Sequence, residues 1–301
     1  MPGSSRAQDT EGPPRVQVIV NASASGVDSV RSTMADAELA LRQAGAETSA
    51  VATRSLRELG EVIAECDGRR LVLVGGDGAV HAAANAGAKG EIALLPAGRA
   101  NNIARALGIP SSWSAAGEIA AHAPARPLDL LSVETADRSL LAVEGLSAGF
   151  QAAARSRYRG ENSADLGAGV VALLRALATH RPYAVELEAD GEALSLSTSQ
   201  LFVSNMPLFG FGFRVAPGAT PEDGEADLVA LPPRSRAGVL PELARVRRGI
   251  HLSGHGAIRR RVRRMELRSP LPLAADAEVL GSGTAVVELV PGALRLALPP
   301  R

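Results

Sequence analysis

The first third of the chain alternates short apolar runs with longer amphipathic stretches. Residues 16–20 (VQVIV) read as a strand, and 28–44 as an amphipathic helix closed by Gly45. Residues 48–53 give a second strand and 55–64 a second helix. The run LVLV over 71–74 has the unbroken apolar character of a buried parallel strand, and a helix-compatible stretch follows over 79–86. A fourth strand, 92–95, ends at Pro96-Ala97-Gly98, and a helix over 100–107 stops at Gly108 and Pro110. Repeated strand–helix units predict a parallel sheet with helices on both faces. Small or polar loops follow three of these strands and would gather on one edge of that sheet.

After Pro127 the pattern changes. Residues 129–134 and 139–145 look like paired strands around a polar turn, and one helix is expected over 165–180. Alternating segments 183–189 and 193–199 flank Asp190-Gly191, a strong hairpin signal. Further strands are expected over 201–204, 226–231, 263–268, 271–275 and 286–290. The predicted organisation is a polar, disordered tail over 1–14, an α/β domain over 15–127, and a β-rich antiparallel sandwich or barrel over 128–301. No internal repeat is evident.

Composition narrows the function. With 301 residues, 46% hydrophobic and 21% charged, the chain has the make-up of an ordinary globular protein long enough for two domains. A formal net charge of zero and 3% aromatic residues argue against a nucleic-acid partner. Cys66 is the only cysteine, which excludes an intrachain disulfide and a cysteine-based zinc site. With no signal-peptide pattern, the expected location is the cytoplasm, or peripherally at the inner face of its membrane. The most apolar run, 166–178, is short for a bilayer span and contains Arg175. Lys89 is the only lysine and no GxxxxGK[ST] occurs, so any phosphate site must rely on backbone amides, arginine and metal.

Gly75-Gly76-Asp77-Gly78 supplies such a site. Glycines let backbone amides approach an anion closely, and the positive end of the following helix dipole faces the same point. A carboxylate beside a phosphate calls for Mg²⁺ between them. The alternative is a tight strand–helix turn with Asp77 as N-cap. Two more loops have phosphate-compatible chemistry: Asn21-Ala22-Ser23-Ala24-Ser25-Gly26, and Leu95-Pro96-Ala97-Gly98-Arg99-Ala100-Asn101-Asn102-Ile103-Ala104-Arg105.

In order and position these motifs resemble the diacylglycerol kinase catalytic-domain superfamily, which includes bacterial lipid kinases and is related to sphingosine kinases. Its patterns NPxSG, GGDGT and LPxGTxNDxAR, then a DDG-containing segment and a late DGE, correspond here to NASASG, GGDGA, LPAGRANNIAR, Pro217–Gly224 (PGATPEDG) and Asp276-Ala277-Glu278. The resemblance implies an α/β nucleotide-binding domain and an antiparallel β-sandwich domain, with the active site in the cleft between them. It implies ATP and Mg²⁺ as cofactors. Nucleotide contacts would come from Asn21, Ser23, Ser25, Gly26, Thr53, Gly75, Gly76, Asp77, Gly78, Ala79, Gly98, Arg99 and Asn101. Glu278 would be the general base that deprotonates the lipid hydroxyl. Asp276, taken to lie on the same strand face, would be its carboxylate partner, and Asp77 a third catalytic acid. Thr220, Asp223 and Glu225 would form a structural metal site. The alternative for Asp276 and Glu278 is a solvated hairpin turn. Asp190-Gly191-Glu192 also spells DGE, but its flanking strands mark it as a plain hairpin turn.

Several positions depart from the pattern. Ala79 and Arg99 replace threonines, Asn102 replaces an aspartate, Ala22 a proline and Ala277 a glycine. The expected function is an ATP- and Mg²⁺-dependent kinase acting on a hydroxyl of diacylglycerol or a related lipid. A non-catalytic nucleotide- or lipid-binding homologue is one alternative, and an NAD kinase, which shares GGDG, is another. The expected partners are a lipid substrate, a peripheral membrane contact and, through exposed sheet edges, a second copy in a homodimer. Alternating Phe and Gly within 206–213 can line a lipid-chain slot or anchor a sandwich core. The arginines at 259–261, 263 and 264, with Arg245, Arg247 and Arg248, can face anionic headgroups or form a solvated surface. His251 and His255 have i,i+4 spacing but read as loop residues.

Overall fold

The computed structural model describes residues 12–24, 26–66, 68–158, 166–210, 212–254 and 256–301. Most of the expected tail, with Ser25, Phe211 and His255, lies outside these residues. The first unit is a parallel layer of β1 (Arg15–Asn21), β2 (Glu47–Thr53), β3 (Arg70–Gly75) and β4 (Ile92–Pro96), in the order β4-β3-β1-β2. Helices α1 (Val30–Gln43), α2 (Leu56–Glu65), α3 (Asp77–Asn85), α4 (Asn102–Ala106) and α5 (Trp113–His122) cover it. Consecutive residues of β3, such as Val72, Leu73 and Val74, are all buried, which explains the unbroken apolar run. Ser29 and Ser55 cap α1 and α2 by accepting the N–H of Ser32 and Glu58. Gly45, at φ +79°, ends α1 in the left-handed conformation that favours glycine. Burying Leu41 of α1, or Leu59 and Ile63 of α2, contributes about 1.5–3 kcal/mol per side chain.

The second unit contains β5 (Ala125–Thr135), β6 (Ser139–Ala142), β7 (Gly145–Gly149), β8 (Tyr183–Ala189), β9 (Glu192–Thr198), β10 (Gln200–Ser204), β11 (Ala226–Leu231), β12 (Ile258–Val262), β13 (Arg264–Ala275) and β14 (Glu278–Ala297). Its helices are α6 (Phe150–Ser156), α7 (Leu166–Thr179) and α8 (Arg236–Arg248). The main strand order is β12-β11-β10-β7-β13-β14, with β8–β9 joined to β13 and β5–β6 to β14. These pairings are antiparallel, as the alternating patterns predict. The Asp190-Gly191 turn sits between β8 and β9, at φ +49° and +81°, and Asp190 accepts the N–H groups of Arg263 and Arg264.

The structure differs from the sequence reading in three respects. The segments 263–268 and 271–275 are one strand, β13, whose register shifts between Ser269 and Pro272. Helices α5, α6 and α8 and strand β12 have no counterpart in the expected elements, and β7 meets the expected strand 139–145 only at Gly145. The expected boundary at 127/128 runs through β5, because β5 and β14 are long enough to serve both cores. Leu128 and Leu130 pack into the first core, and Leu131 and Val133 into the second. On β14, Val287 and Leu289 pack into the second core, while Leu294 and Leu296 return to the first. Leu296 then pairs with Ile92 of β4 in parallel, so the two units share one 14-stranded sheet.

Candidate active site

The expected phosphate loops meet on one edge of the parallel layer. A Cβ added at Gly76 would lie 2.8 Å from the Cα of Gly98, and one at Gly98 would lie 2.6 Å from the Cα of Gly76, so only glycine allows these two turns to touch. The Gly26 N–H donates to the Ala97 carbonyl at 2.9 Å, and the Ala97 N–H donates to the Gly75 carbonyl at 2.8 Å. Asn101, at φ +46°, holds the turn closed by accepting the Gly98 N–H and donating to the Gly98 carbonyl. The Asn21 side chain accepts from the N–H and the hydroxyl of Ser23. Beside it in the register is Thr53, buried, with its hydroxyl on the Val20 carbonyl. Gly78 and Ala79 lie in the first turn of α3, and exposed Arg99 stands on the β4–α4 loop. The nucleotide candidates from Asn21 to Asn101 are thus gathered, apart from Ser25.

Asp77 does not cap its own helix; Gly76 holds that position. Its carboxylate instead accepts the N–H groups of Asn102 at 3.0 Å and Ile103 at 2.9 Å, capping α4 from a neighbouring turn. Burial pushes the Asp77 pKa up, against the opposing effect of these two hydrogen bonds. The Asn102 side-chain amide donates to Glu144 Oε2 at 3.2 Å and to the Gly210 carbonyl, while Gly210 N–H donates to the same Glu144 oxygen at 3.1 Å. Burial, and then the charges of Asp77 and Asp276, hold the Glu144 carboxyl well above the usual carboxylate range.

Asp276 and Glu278 do not share a strand face, as strand alternation would require. Asp276 sits in the turn between β13 and β14 at φ +46°, and the turn itself brings both carboxylates onto His81 of α3. Nor is the turn solvated around Asp276. One oxygen accepts the N–H groups of Glu144 and Gly145; the other accepts that of Val143 and faces His81 Nδ1 at 2.8 Å. With four partners this carboxylate is saturated, so Asp276 anchors the β6–β7 connection and orients the imidazole. His81 Nε2 faces Glu278 Oε1 at 3.4 Å, and the half-exposed Glu278 also pairs with Arg138 at 2.9 Å. Burial lowers the His81 pKa, but the Asp276 hydrogen bond and the charges of both carboxylates outweigh it and raise the pKa overall.

The sequence reading missed His81 and Glu144. His81 lies four residues after Asp77 on one helix, which is same-face spacing. Glu144 is a lone acid in the apolar and small stretch LLAVEGLSAG, where a buried polar side chain needs a reason.

Beside this cluster lies a cavity of about 460 Å³, walled by Phe150, Phe202, Phe209, Phe213, Leu173 and Leu243. Gln151, Arg155, Tyr158 and Arg99 supply its polar lining. The Phe–Gly segment anchors a core and also lines this cavity: Phe209 is buried edge-on against Phe202 at 5.7 Å, and both residues line the cavity. Gly210 and Arg155 connect the cavity to the polar site, since Gly210 bonds Glu144 and Arg155 donates to the Ala277 carbonyl. On α7, which forms one wall, Val170, Val171 and Leu174 are exposed.

Other predicted features are placed as follows. Arg261 reaches Asp223 at 2.5 Å and Glu225 at 2.7 Å, so a metal near Thr220, Asp223 and Glu225 would compete with a guanidinium for both carboxylates. Arg259 and Arg260 pair with Asp227 and Glu192. His251 lies in the loop between α8 and β12, as expected, and is fully buried there, with its Nε2 on the Val215 carbonyl.

The diacylglycerol kinase catalytic domain profile matches residues 15–133, and that of the YegS C-terminal NAD kinase beta sandwich-like domain matches residues 145–298. A protein of Pseudomonas fluorescens named "probable lipid kinase YegS-like" is 31% identical over 240 residues, covering 76% of this chain and 77% of its own. Proteins of the same name from Shewanella frigidimarina and Pseudomonas aeruginosa are each 29% identical. They cover 81% and 95% of this chain, and 81% and 94% of their own lengths. The crystal structure of a diacylglycerol kinase from Bacillus anthracis superposes with a TM-score of 0.70, covering 96% of this chain and 98% of that one, at 16% sequence identity. With both domains matched in order and these relatives aligned over 77% and 94% of their lengths, the chain belongs to the YegS-like lipid kinase family, built on a diacylglycerol kinase catalytic domain.

Proposed function

We propose that the protein transfers the γ-phosphate of ATP, with Mg²⁺, to a hydroxyl of diacylglycerol or a closely related lipid. The observation that carries this reading is the junction at Gly210 and Arg155. There an apolar cavity fit for acyl chains abuts the carboxylate–imidazole cluster and the Gly76–Gly98 phosphate turns. Backbone N–H groups around Gly76 and Gly98 and the start of α3 would receive the phosphates. Arg99, on the same loop and in the cavity lining, stands where phosphate and lipid headgroup meet.

Glu278 accepts the hydroxyl proton as the lipid oxygen attacks the γ-phosphorus; the bond to the bridging oxygen breaks and ADP leaves. His81, oriented by Asp276, holds the facing side of Glu278 through Nε2. The oxygen donors that fit a hard cation are Asp77 and the buried Oδ1 of Asn102, which has no hydrogen-bond partner. Bound there, Mg²⁺ would neutralise phosphate charge.

The exposed Val170, Val171 and Leu174 share α7 with the cavity wall, so this helix is the face we assign to a lipid surface. A binding-only homologue has one observation on its side: Arg138 already pairs with the proposed base. Transfer of labelled γ-phosphate from ATP to lipids in mixed micelles separates the two readings. Labelled lipid phosphate from the wild type, lost in Glu278→Gln, supports the kinase. Lipid binding without transfer, in folded protein, supports the binding-only homologue.

A further inference from the structure

Asn102 stands where the family pattern has an aspartate, which removes a carboxylate from the place where nucleotide and metal should meet. The fold sets another carboxylate against that position. Glu144 enters from the second unit, just before β7, and touches the Asn102 amide at 3.2 and 3.4 Å. We infer that Glu144 supplies the carboxylate absent at position 102 and, with Asp77 and Asn102 Oδ1, forms the Mg²⁺ site of the nucleotide. The inference rests on the kinase reading above and names a ligand that reading lacks.

Three observations carry it. First, Glu144 is 6% exposed and lies within electrostatic reach of Asp77 and Asp276. A carboxylate buried beside two others is costly unless a cation accompanies it. Second, the Asn102 amide has a fixed orientation. Its NH₂ group faces the Gly210 carbonyl and the Glu144 carboxylate, both acceptors, so turning it over would set oxygen against oxygen. Oδ1 is therefore left buried without a donor, in a residue only 1% exposed. A buried amide oxygen without a donor suits a hard cation.

Third, the two oxygens of Glu144 are unequally used. Oε2 takes the Gly210 N–H and the shorter Asn102 contact, whereas among the described residues Oε1 has only the 3.4 Å contact to Asn102. One oxygen thus latches the Gly210 segment while the other has capacity for a ligand. The position is held from behind, because the Glu144 N–H donates to Asp276.

Among the described residues, no three acidic, cysteine or imidazole side chains close a metal shell by themselves. That suits Mg²⁺, which commonly takes one or two carboxylates, keeps several waters and completes its shell with substrate phosphates. The site would therefore form fully only with nucleotide present, and its two protein carboxylates would come from the two units of the fold.

The test is Mn²⁺ binding followed by electron paramagnetic resonance, with a non-hydrolysable ATP analogue present. It compares wild type, Glu144→Gln and the double variant Asn102→Asp/Glu144→Gln. Glutamine preserves the shape and the acceptor for Gly210, and melting curves confirm folding. The expected result is Mn²⁺ affinity at least about tenfold weaker in Glu144→Gln, within the range for lost support of a metal, and largely restored in the double variant. Equal affinity in wild type and Glu144→Gln would overturn the inference while leaving the kinase reading intact. So would a loss in Glu144→Gln that the double variant, melting like wild type, does not restore. Absence of Mn²⁺ binding in the wild type would overturn both.

Discussion

At the scale of single residues, the site is organised by side chains that each bridge two elements. Asp77 starts α3 and caps α4, and Asp276 holds the β6–β7 connection while orienting His81. Asn102 pairs so closely with Glu144 that restoring the family aspartate alone is expected to harm the fold. Asn102→Asp would set two carboxylates together and leave the Gly210 carbonyl without its donor, costing about 1–3 kcal/mol. Chemical denaturation measures this, and an unchanged midpoint would contradict it. His81 gives a pH signature. Its pKa is higher folded than unfolded, so its contribution to stability is full below about pH 6.5 and is lost as pH rises through the raised folded value. The melting-temperature difference between wild type and His81→Asn should therefore shrink toward alkaline pH. A constant difference would count against the Asp276–His81 bond. Gly76, Gly98 and Asp77 are legible in the sequence because turn chemistry is local, whereas Glu278 is reached only through the family resemblance. His81 and Glu144 gain their roles from contacts to residues 195 and 42 positions away, respectively, which no local pattern carries.

At the scale of elements, the strand–helix units of the first half are legible because β1, β3 and β4 are largely buried along their length and α1 and α2 each bury one apolar stripe. Helix α5 escapes notice because its buried face is made of Ala116, Gly117, Ala120 and Ala121. Helix α8 escapes because Pro241 lies inside it and three arginines fill its last turn. The contact of the β3–α3 and β4–α4 turns is the element-level feature on which the proposed phosphate binding depends. Gly76→Ala would push a methyl into the Gly98 backbone and part the turns, costing about 1–3 kcal/mol and weakening ATP-analogue affinity. Calorimetric titration of the analogue checks this, and wild-type affinity in the variant would mean the turns do not form the phosphate site. On α7, Val171→Glu with Leu174→Glu should reduce binding to lipid vesicles while leaving the melting temperature nearly unchanged, since both side chains are exposed. Unaltered vesicle binding would remove α7 from the membrane contact.

At the scale of the whole molecule, the two-unit organisation is legible in the switch from period-3.6 to period-2 patterning, but the way the units are joined is not. The join depends on β14 pairing with β5 along its length and with β4 at its end, contacts set by tertiary structure alone. One strand thus carries side chains of both cores, and the polar cluster lies where the units meet. Leu296→Ala, a fully buried truncation at that join, is expected to cost about 2–5 kcal/mol. It should lower a single calorimetric transition rather than split it, and two separated transitions would show that the units unfold independently. The arrangement also suits catalysis, because the phosphate turns belong to the first unit, the cavity and Glu278 to the second, and Glu144 with Asn102 spans them. The most direct measurement is kcat/KM for phosphate transfer from ATP to a series of diacylglycerols of increasing acyl length. A lipid kinase whose substrate chains occupy the cavity should show phosphate transfer whose efficiency rises with chain length and levels off once the cavity is filled. A profile independent of acyl length would contradict the role assigned to the cavity, and absence of transfer to every member of the series would contradict the diacylglycerol-kinase reading itself.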